Sequence, residues 1–262
     1  MSGNSESSTH TSPGGWSSPE SPGVSAPSQL LSVRRIVVSG VLGAITLLMG
    51  WTSIGFIPVP TLAGHATVMH IPAIIGGVLE GWVVGGVLGL LFGLASFLQA
   101  TIPIFKDPLV AILPRLFIGV TACFAYAAVR RSGRYTSYAA AVIAGAVVGI
   151  LVYQIMGFLS SELVATLVAL AVGGSVIAAL SYVVMRYPAE YLALIVAAIV
   201  GTLTNSILVL GMAVVRGYLD WAAIPPILLV NVVPEIVIAI ILVVAVVTTW
   251  KRIEIGSGEA KM

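Results

Sequence analysis

The chain has 262 residues, 58% of them apolar and 8% charged, with a formal net charge of +2. A soluble domain carries about 25% charged residues, so this composition cannot cover a water-facing surface. A soluble enzyme, a nucleic-acid binder and a mostly disordered protein are excluded; what remains is an all-α polytopic membrane protein embedded in a lipid bilayer.

In chain order, residues 1–29 come first and are dominated by Ser, Pro, Gly and Thr. Such a segment buries too little apolar surface to offset its ordering entropy and reads as a disordered tail. No basic stretch opens it as a secretory signal would require. Arg34-Arg35 precede an apolar run, as in a twin-arginine signal, but the many later apolar runs oppose export of a soluble product.

Eight apolar segments follow at Leu31–Trp51, Ala66–Leu79, Trp82–Thr101, Pro108–Val129, Ser137–Leu159, Glu162–Met185, Pro188–Arg216 and Ala223–Trp250. Most reach the roughly 20 residues that a crossing needs. Ala66–Leu79 is short, which implies a tilted, broken or extended element. The transmembrane domain is thus 30–252, and 253–262 forms a second tail.

With eight spans and a cytoplasmic N-terminus, Arg34, Arg35, Arg130, Arg131, Arg134, Arg186, Lys251, Arg252 and Lys261 fall on the cytoplasmic side. Only Lys106 and Arg216 fall outside, with Arg115 inside a span. This bias predicts a multi-pass protein of the cell membrane with both termini cytoplasmic. Trp51, Trp82, Trp221 and Trp250 stand at segment ends, as interfacial anchors do.

Gly85, Gly89 and Gly93 recur at every fourth position, as do Gly145 and Gly149, and Gly40 and Ala44 share that spacing. Small residues so spaced let helix backbones approach closely. They report packing, not activity.

The chain lacks the phosphate-binding run GxxxxGK[S/T], so it carries no recognisable means of hydrolysing ATP itself. HExxH, CxxC and GxSxG are also missing, which argues against an enzyme. His10, His65 and His70 lack ligand spacing, so no metal or cofactor is expected. Cys123, the single cysteine, reads as buried filler.

The few polar groups inside the spans are therefore informative. An Arg at the bilayer centre costs about 2.5–3.5 kcal/mol on insertion scales. Arg115 lies about 10 Å into its span, which implies a partner or a watery cavity. It reads equally as an anion-binding group and as a side chain that snorkels or pairs with Glu235. Asn231 and Glu235, four residues apart, share a helix face, with Pro234 between them. Asn205 sits in the polar run GTLTNS, either on a pocket wall or as glue between helices. His70 and Gln99 are weaker candidates. The loop Ile54–His65 is apolar yet stiffened by Pro58 and Pro60, which suggests a lid over a cavity or a loop lying on headgroups.

The run HIPAIIGGVLEGWVVGGVLGLLFGLASFLQA (His70–Ala100) resembles the substrate-binding S components of energy-coupling-factor (ECF) transporters. LVAILPRLFIG (Leu109–Gly119), GTLTNSILVLG (Gly201–Gly211) and VNVVPE (Val230–Glu235) do so too. The likeness spans about 34–131 and 191–251 and is nearest the branch that binds pantothenate and riboflavin. It implies a helical vitamin-binding protein with its site near the outer face, under a lid between the first two spans. Its partners would be a transmembrane coupling subunit and two cytoplasmic ATPase subunits, with no nucleic acid. Gly40 and Ala44 match the family's AxxxA-type partner motif, with Gly in the first place. Members usually have six spans, so about 137–186 reads as a helix pair inserted into a six-helix core.

The resulting expectation is a vitamin-binding S component of an ATP-driven importer, with pantothenate favoured. Its substrate residues would be Arg115, Asn205, Asn231, Glu235, His70 and Gln99. The alternative is a self-sufficient proton-coupled secondary transporter using Glu235 or His70, which would call for two related halves or a midplane ion site. A membrane-embedded enzyme ranks third, for want of a catalytic constellation.

Overall fold

The computed structural model describes residues 33–52, 54–58, 65–131, 133–157 and 160–259. The expected tail at 1–29 and the tip of the candidate lid at 59–64 lie outside them. The described chain is a helical bundle: α1 Val33–Trp51, α2 Ile71–Glu80, α3 Trp82–Leu98, α4 Pro108–Ala111, α5 Leu113–Arg131, α6 Arg134–Met156, α7 Glu162–Arg186, α8 Ala189–Val215 and α9 Ile224–Glu259. Among these, five segments are long and apolar enough to cross a membrane, and three shorter apolar helices accompany them. Trp51, Trp82 and Trp221 are exposed at helix ends, and Trp250 is exposed within α9. The helix α9 runs on through Glu259, into the stretch expected as the second tail. Its 36 residues span about 54 Å, so it outreaches the bilayer's hydrocarbon core of about 30 Å.

The short segment at Ala66–Leu79 yields a helix of only ten residues, about 15 Å long. The remainder of its path is extended. An antiparallel hairpin, β1 Phe56–Pro58 and β2 His65–Thr67, pairs Phe56 with Thr67. From there Val68, Met69 and His70 descend, all buried, to α2. Pro72 opens α2 where a missing N–H costs nothing. Gly81 ends it at φ 97°, a conformation that glycine alone takes freely, and α3 starts at the next residue.

That one-residue junction folds α2 back onto α3. Gly76 packs on Leu88, and Gly85 faces both Gly77 and Gly119. A Cβ on Gly85 would lie 2.8 Å from the backbone of either neighbour. The glycine ladder of α3 continues along α5 in antiparallel register: Gly89 against Arg115 and Leu116, Gly93 against Ala111 and Ile112. On its other side α5 packs along α8, where Gly201 seats Ile74 of α2 and Ala122. Ile74, Leu88, Ile118, Leu192 and Leu194 are completely or almost completely buried at this centre.

The helix α1 packs on α2 and α3. Its outward face, including Val37, Gly40, Val41, Ala44 and Leu48, is exposed. The pair α6–α7 packs chiefly on itself and meets the bundle through α8 and α9. Gly145, Gly149 and Gly173 bring its two backbones together.

Ion pairs mark the two ends. Where α1 begins, Arg35 lies 3.6 Å from Glu80, and Lys251 binds Glu190 and Tyr126. At the hairpin end, Arg216 Nε donates to Asp107 across 2.6 Å. Cys123, expected to be buried, is partly exposed on α5.

Candidate functional site

The helix break at Pro114 builds the centre of the site. Proline has no N–H, so the carbonyl of Val110, four residues back, loses its helical partner. Arg115 N turns instead to Ile112 O, at 3.1 Å, which releases the carbonyl of Ala111 as well. The Arg115 side chain fills both positions. One guanidinium nitrogen donates to Val110 O at 3.3 Å and also to Ala111 O. The guanidinium plane lies 4.8 Å from the ring of Phe92 and 5.2 Å from that of Phe105, a cation–π arrangement that stabilises a charge away from water.

Arg115 is only 4% exposed, yet among the described residues its Nε has no hydrogen-bond partner. Among the described residues no carboxylate lies within ion-pair distance of it. Direct pairing with Glu235 is therefore not what holds this cation. Phe105 lies two residues before Asp107, which pairs with Arg216 and accepts from Leu109 N at 3.0 Å, capping α4. The Arg216 donor holds the Asp107 carboxyl below the usual carboxylate range.

Glu235 lies on α9, 3% exposed. One carboxylate oxygen accepts from Thr67 N at 2.6 Å, and the other accepts from Ser206 Oγ at 3.4 Å. Asn231, one turn earlier on the same face, is also buried. Asn205 on α8 is buried, and among the described residues its Oδ1 has no hydrogen-bond partner.

These groups converge. Arg115, Asn205, Asn231 and Glu235 line one cavity of about 60 Å³, together with Thr67, Phe105 and Ser206. A cation stands at its α5 side and a carboxylate at its α9 side, with two amides on the walls. Ligand pockets usually measure about 300–1,000 Å³, so this cavity is smaller than a bound vitamin would need. An unpartnered buried donor and an unpartnered buried acceptor are costly in low dielectric. They define what a guest would supply: an anionic acceptor for Arg115 Nε and an N–H or O–H for Asn205 Oδ1.

His70 and Gln99 do not join this group. His70 Nε2 lies 3.0 Å from Thr202 Oγ1, a buried contact between α2 and α8. Gln99 caps α3 beside Gly50 of α1. The polar run GTLTNS divides by face: Thr202 meets His70, Thr204 meets Thr121 at 2.9 Å, and Asn205 and Ser206 face the cavity. The run is thus both glue and pocket wall. Sequence reasoning missed Thr67, Phe105 and the pairing of Ser206 with Glu235. The one readable signal was the adjacency of Pro114 and Arg115, because proline frees the carbonyls that the next side chain can reach. Among the described residues no cluster of His, Cys, Asp or Glu could hold a metal.

Residues 34–180, from α1 through most of α7, match the family model described as ECF transporter, substrate-specific component. The pantothenic acid transporter PanT of Lactococcus lactis subsp. cremoris is 32% identical over 80 residues, covering 23% of this chain and 41% of the relative. The aligned stretch is thus less than half of that protein's length. The chain belongs to the substrate-specific components of ECF transporters.

Proposed function

We propose that this chain captures a small vitamin or vitamin precursor bearing a carboxylate, with pantothenate favoured, for ATP-driven uptake by partner subunits. The observation that carries the reading is Arg115, whose Nε has no hydrogen-bond partner among the described residues, lining a small cavity with Asn205 and Asn231 on its walls. Arg115 takes the carboxylate, and the two amides bond the substrate's hydroxyl and amide groups. The similarity to a pantothenic acid transporter supports the same choice. His70 and Gln99 act through packing.

In this reading both termini are cytoplasmic, in the cell membrane, and the hairpin end faces outward. The excess of Lys and Arg at the opposite end supports that orientation. The exposed stripe of α1 with Gly40 and Ala44 receives the coupling subunit, which works with two ATPase subunits. A Cβ on Gly40 would touch nothing, so a partner helix can approach there. The pair α6–α7 is an addition to a six-helix core. It falls within the family match, but the cavity draws no lining residue from it.

The test is mass spectrometry of small molecules extracted from protein purified after expression alone in rich medium. Stoichiometric pantothenate is expected from the native chain. Arg115→Ala should lose it, since a hydrogen bond to a charged group is worth about 1.5–3 kcal/mol, roughly tenfold or more in affinity. Arg115→Lys, which keeps the charge but not the fork of donors, should retain part. A native chain that binds no vitamin, yet transports alone in proteoliposomes under a proton gradient, would overturn the reading.

A further inference from the structure

A larger recess lies between the pair α6–α7 and the bundle. It runs between α6, α8 and α9, measures about 350 Å³, and every residue that lines it is aliphatic. Ala140, Val147 and Leu151 stand on its α6 side, Val196 and Ile207 on its α8 side and Ile236 on its α9 side. The pair α6–α7 packs chiefly on itself, and this seam is where it does not close on the bundle. Atoms that line a void forfeit dispersion contacts, and an aliphatic wall offers water no hydrogen bond. In a chain that spans a bilayer, hydrocarbon is the material at hand to fill such a seam.

Polar groups stand at one end of it. Where α6 and α8 begin, an opening of about 350 Å³ is lined by Ser137, Val184, Met185, Tyr187, Ala189 and Leu192. Ser137 and Leu192 come about one helical turn before Ala140 and Val196 of the seam. The opening and the seam therefore follow one another along the same two helices, hydroxyl groups first and aliphatic groups after. From Leu192 to Ile207 the path along α8 is about 22 Å. Half of a bilayer with its headgroup regions is about 20–22 Å, so the two recesses together have the depth of one leaflet.

The charge at this end is positive. Arg186, next to Tyr187, is exposed, and so are Arg130 and Arg131 at the end of α5. Glu190, in the first turn of α8, is bound by Lys251. Tyr182 and Tyr187 are exposed here as well, as aromatic residues at a headgroup boundary are.

We propose that this face holds one anionic phospholipid as an interlayer between the α6–α7 pair and the bundle. An acyl chain fills the aliphatic seam, and the phosphate sits at the Ser137–Tyr187 opening beside Arg186. The lipid comes from the leaflet at the arginine-rich end, and its hydrocarbon replaces the direct packing that α6 lacks against α8 and α9. The proposal does not depend on what the polar cavity binds.

Native mass spectrometry tests it on the full-length chain, stripped of copurified lipid in detergent and then given phosphatidylglycerol or phosphatidylcholine with the same acyl chains. One phosphatidylglycerol should stay bound at activation energies that remove all other lipid, with an affinity at least about tenfold above that of phosphatidylcholine. Arg186→Gln should narrow that preference roughly fivefold, the factor expected for one basic residue at the headgroup level. Val147 lines the seam and is 40% exposed; Val147→Trp fills the seam and should abolish retention. Leu167→Trp places the same side chain on an exposed position of α7 and should leave retention as in the native chain.

Equal retention of the two lipids by the native chain, or of neither, would overturn the proposal. So would a lipid held by Val147→Trp as firmly as by the native chain. A two-chain species that Val147→Trp abolishes would assign the seam to a second copy of the chain and overturn it too. Should Val147→Trp fail to fold, Arg186→Gln decides alone: a preference unchanged from native would remove the headgroup from this opening.

Discussion

Two helix pairs in this molecule are built on the same sequence device and come to different ends. In α3–α5, the glycines at 85, 89 and 93 press one backbone against another along three turns. In α6–α7, Gly145, Gly149 and Gly173 do the same. The first pair carries Arg115 and Phe92 and shapes the cavity; the second lends the cavity no residue. Glycine spacing therefore tells how near two helices lie and nothing about what they do. The difference comes from Pro114, which opens the backbone of α5 beside a cation, whereas α6 and α7 contain no proline.

The sharpest way to break the comparison is to fill each contact in turn. A Cβ at Gly89 would run into the carbonyl of Arg115. Gly89→Leu should therefore destabilise the protein by more than the about 1–3 kcal/mol usual for overpacking, because rigid backbone cannot yield. Thermal unfolding in detergent should show a large loss, and vitamin retention should vanish with it. At Gly173 the collision is milder, 2.9 Å to Gly145 O and 3.2 Å to Gly149 Cα, and the pair is peripheral. Gly173→Leu should cost about 1–3 kcal/mol and leave vitamin affinity unchanged. If affinity falls as far as in Gly89→Leu, the two pairs are not functionally distinct.

The smallest expected effect concerns the Asp107–Arg216 pair at the mouth. Arg216 lowers the folded-state pKa of Asp107, so its stabilisation is present above the ordinary carboxylate value of about 3.9. It is lost as pH falls through the lowered folded value. The pKa of Arg216 is raised, so that side of the pair fails only at strongly alkaline pH. Vitamin affinity measured from pH 7 down to about 5 should therefore be flat with respect to this pair. Only below the lowered folded value, and so under the ordinary value of about 3.9, should the native chain come to resemble Asp107→Asn.

Much of the fold was legible because a bilayer leaves a chain few options. All eight apolar runs contain helices, and the short one at Ala66–Leu79 announced its own irregularity. The four polar residues at the cavity were legible for the same reason: each is an anomaly in an apolar run. What remained hidden depends on tertiary placement. His70 and Asn205 look alike in sequence, both polar and both buried. Each keeps one buried atom without a hydrogen-bond partner among the described residues, His70 Nδ1 and Asn205 Oδ1; what separates them is placement, since His70 meets Thr202 between α2 and α8 while Asn205 faces the cavity. The backbone N–H of Thr67 was illegible in principle, since every residue but proline has one. Cys123 was misjudged because an apolar neighbourhood in a membrane chain does not distinguish the protein interior from the lipid-facing surface.

The self-made cradle of Arg115 has a consequence for selectivity. Its guanidinium is bonded to carbonyls of its own turn and lies within cation–π distance of two rings, so its rotamer is set before any guest arrives. A long flexible side chain ordinarily gives up about 2 kcal/mol of rotamer entropy when it is fixed; here the fold has already absorbed that loss. An anion reaching Nε meets a stationary donor, and little of its binding free energy is spent on ordering the protein. Such a donor discriminates by shape as well as by sign, because a rigid direction rewards an acceptor that arrives along it and penalises one that does not.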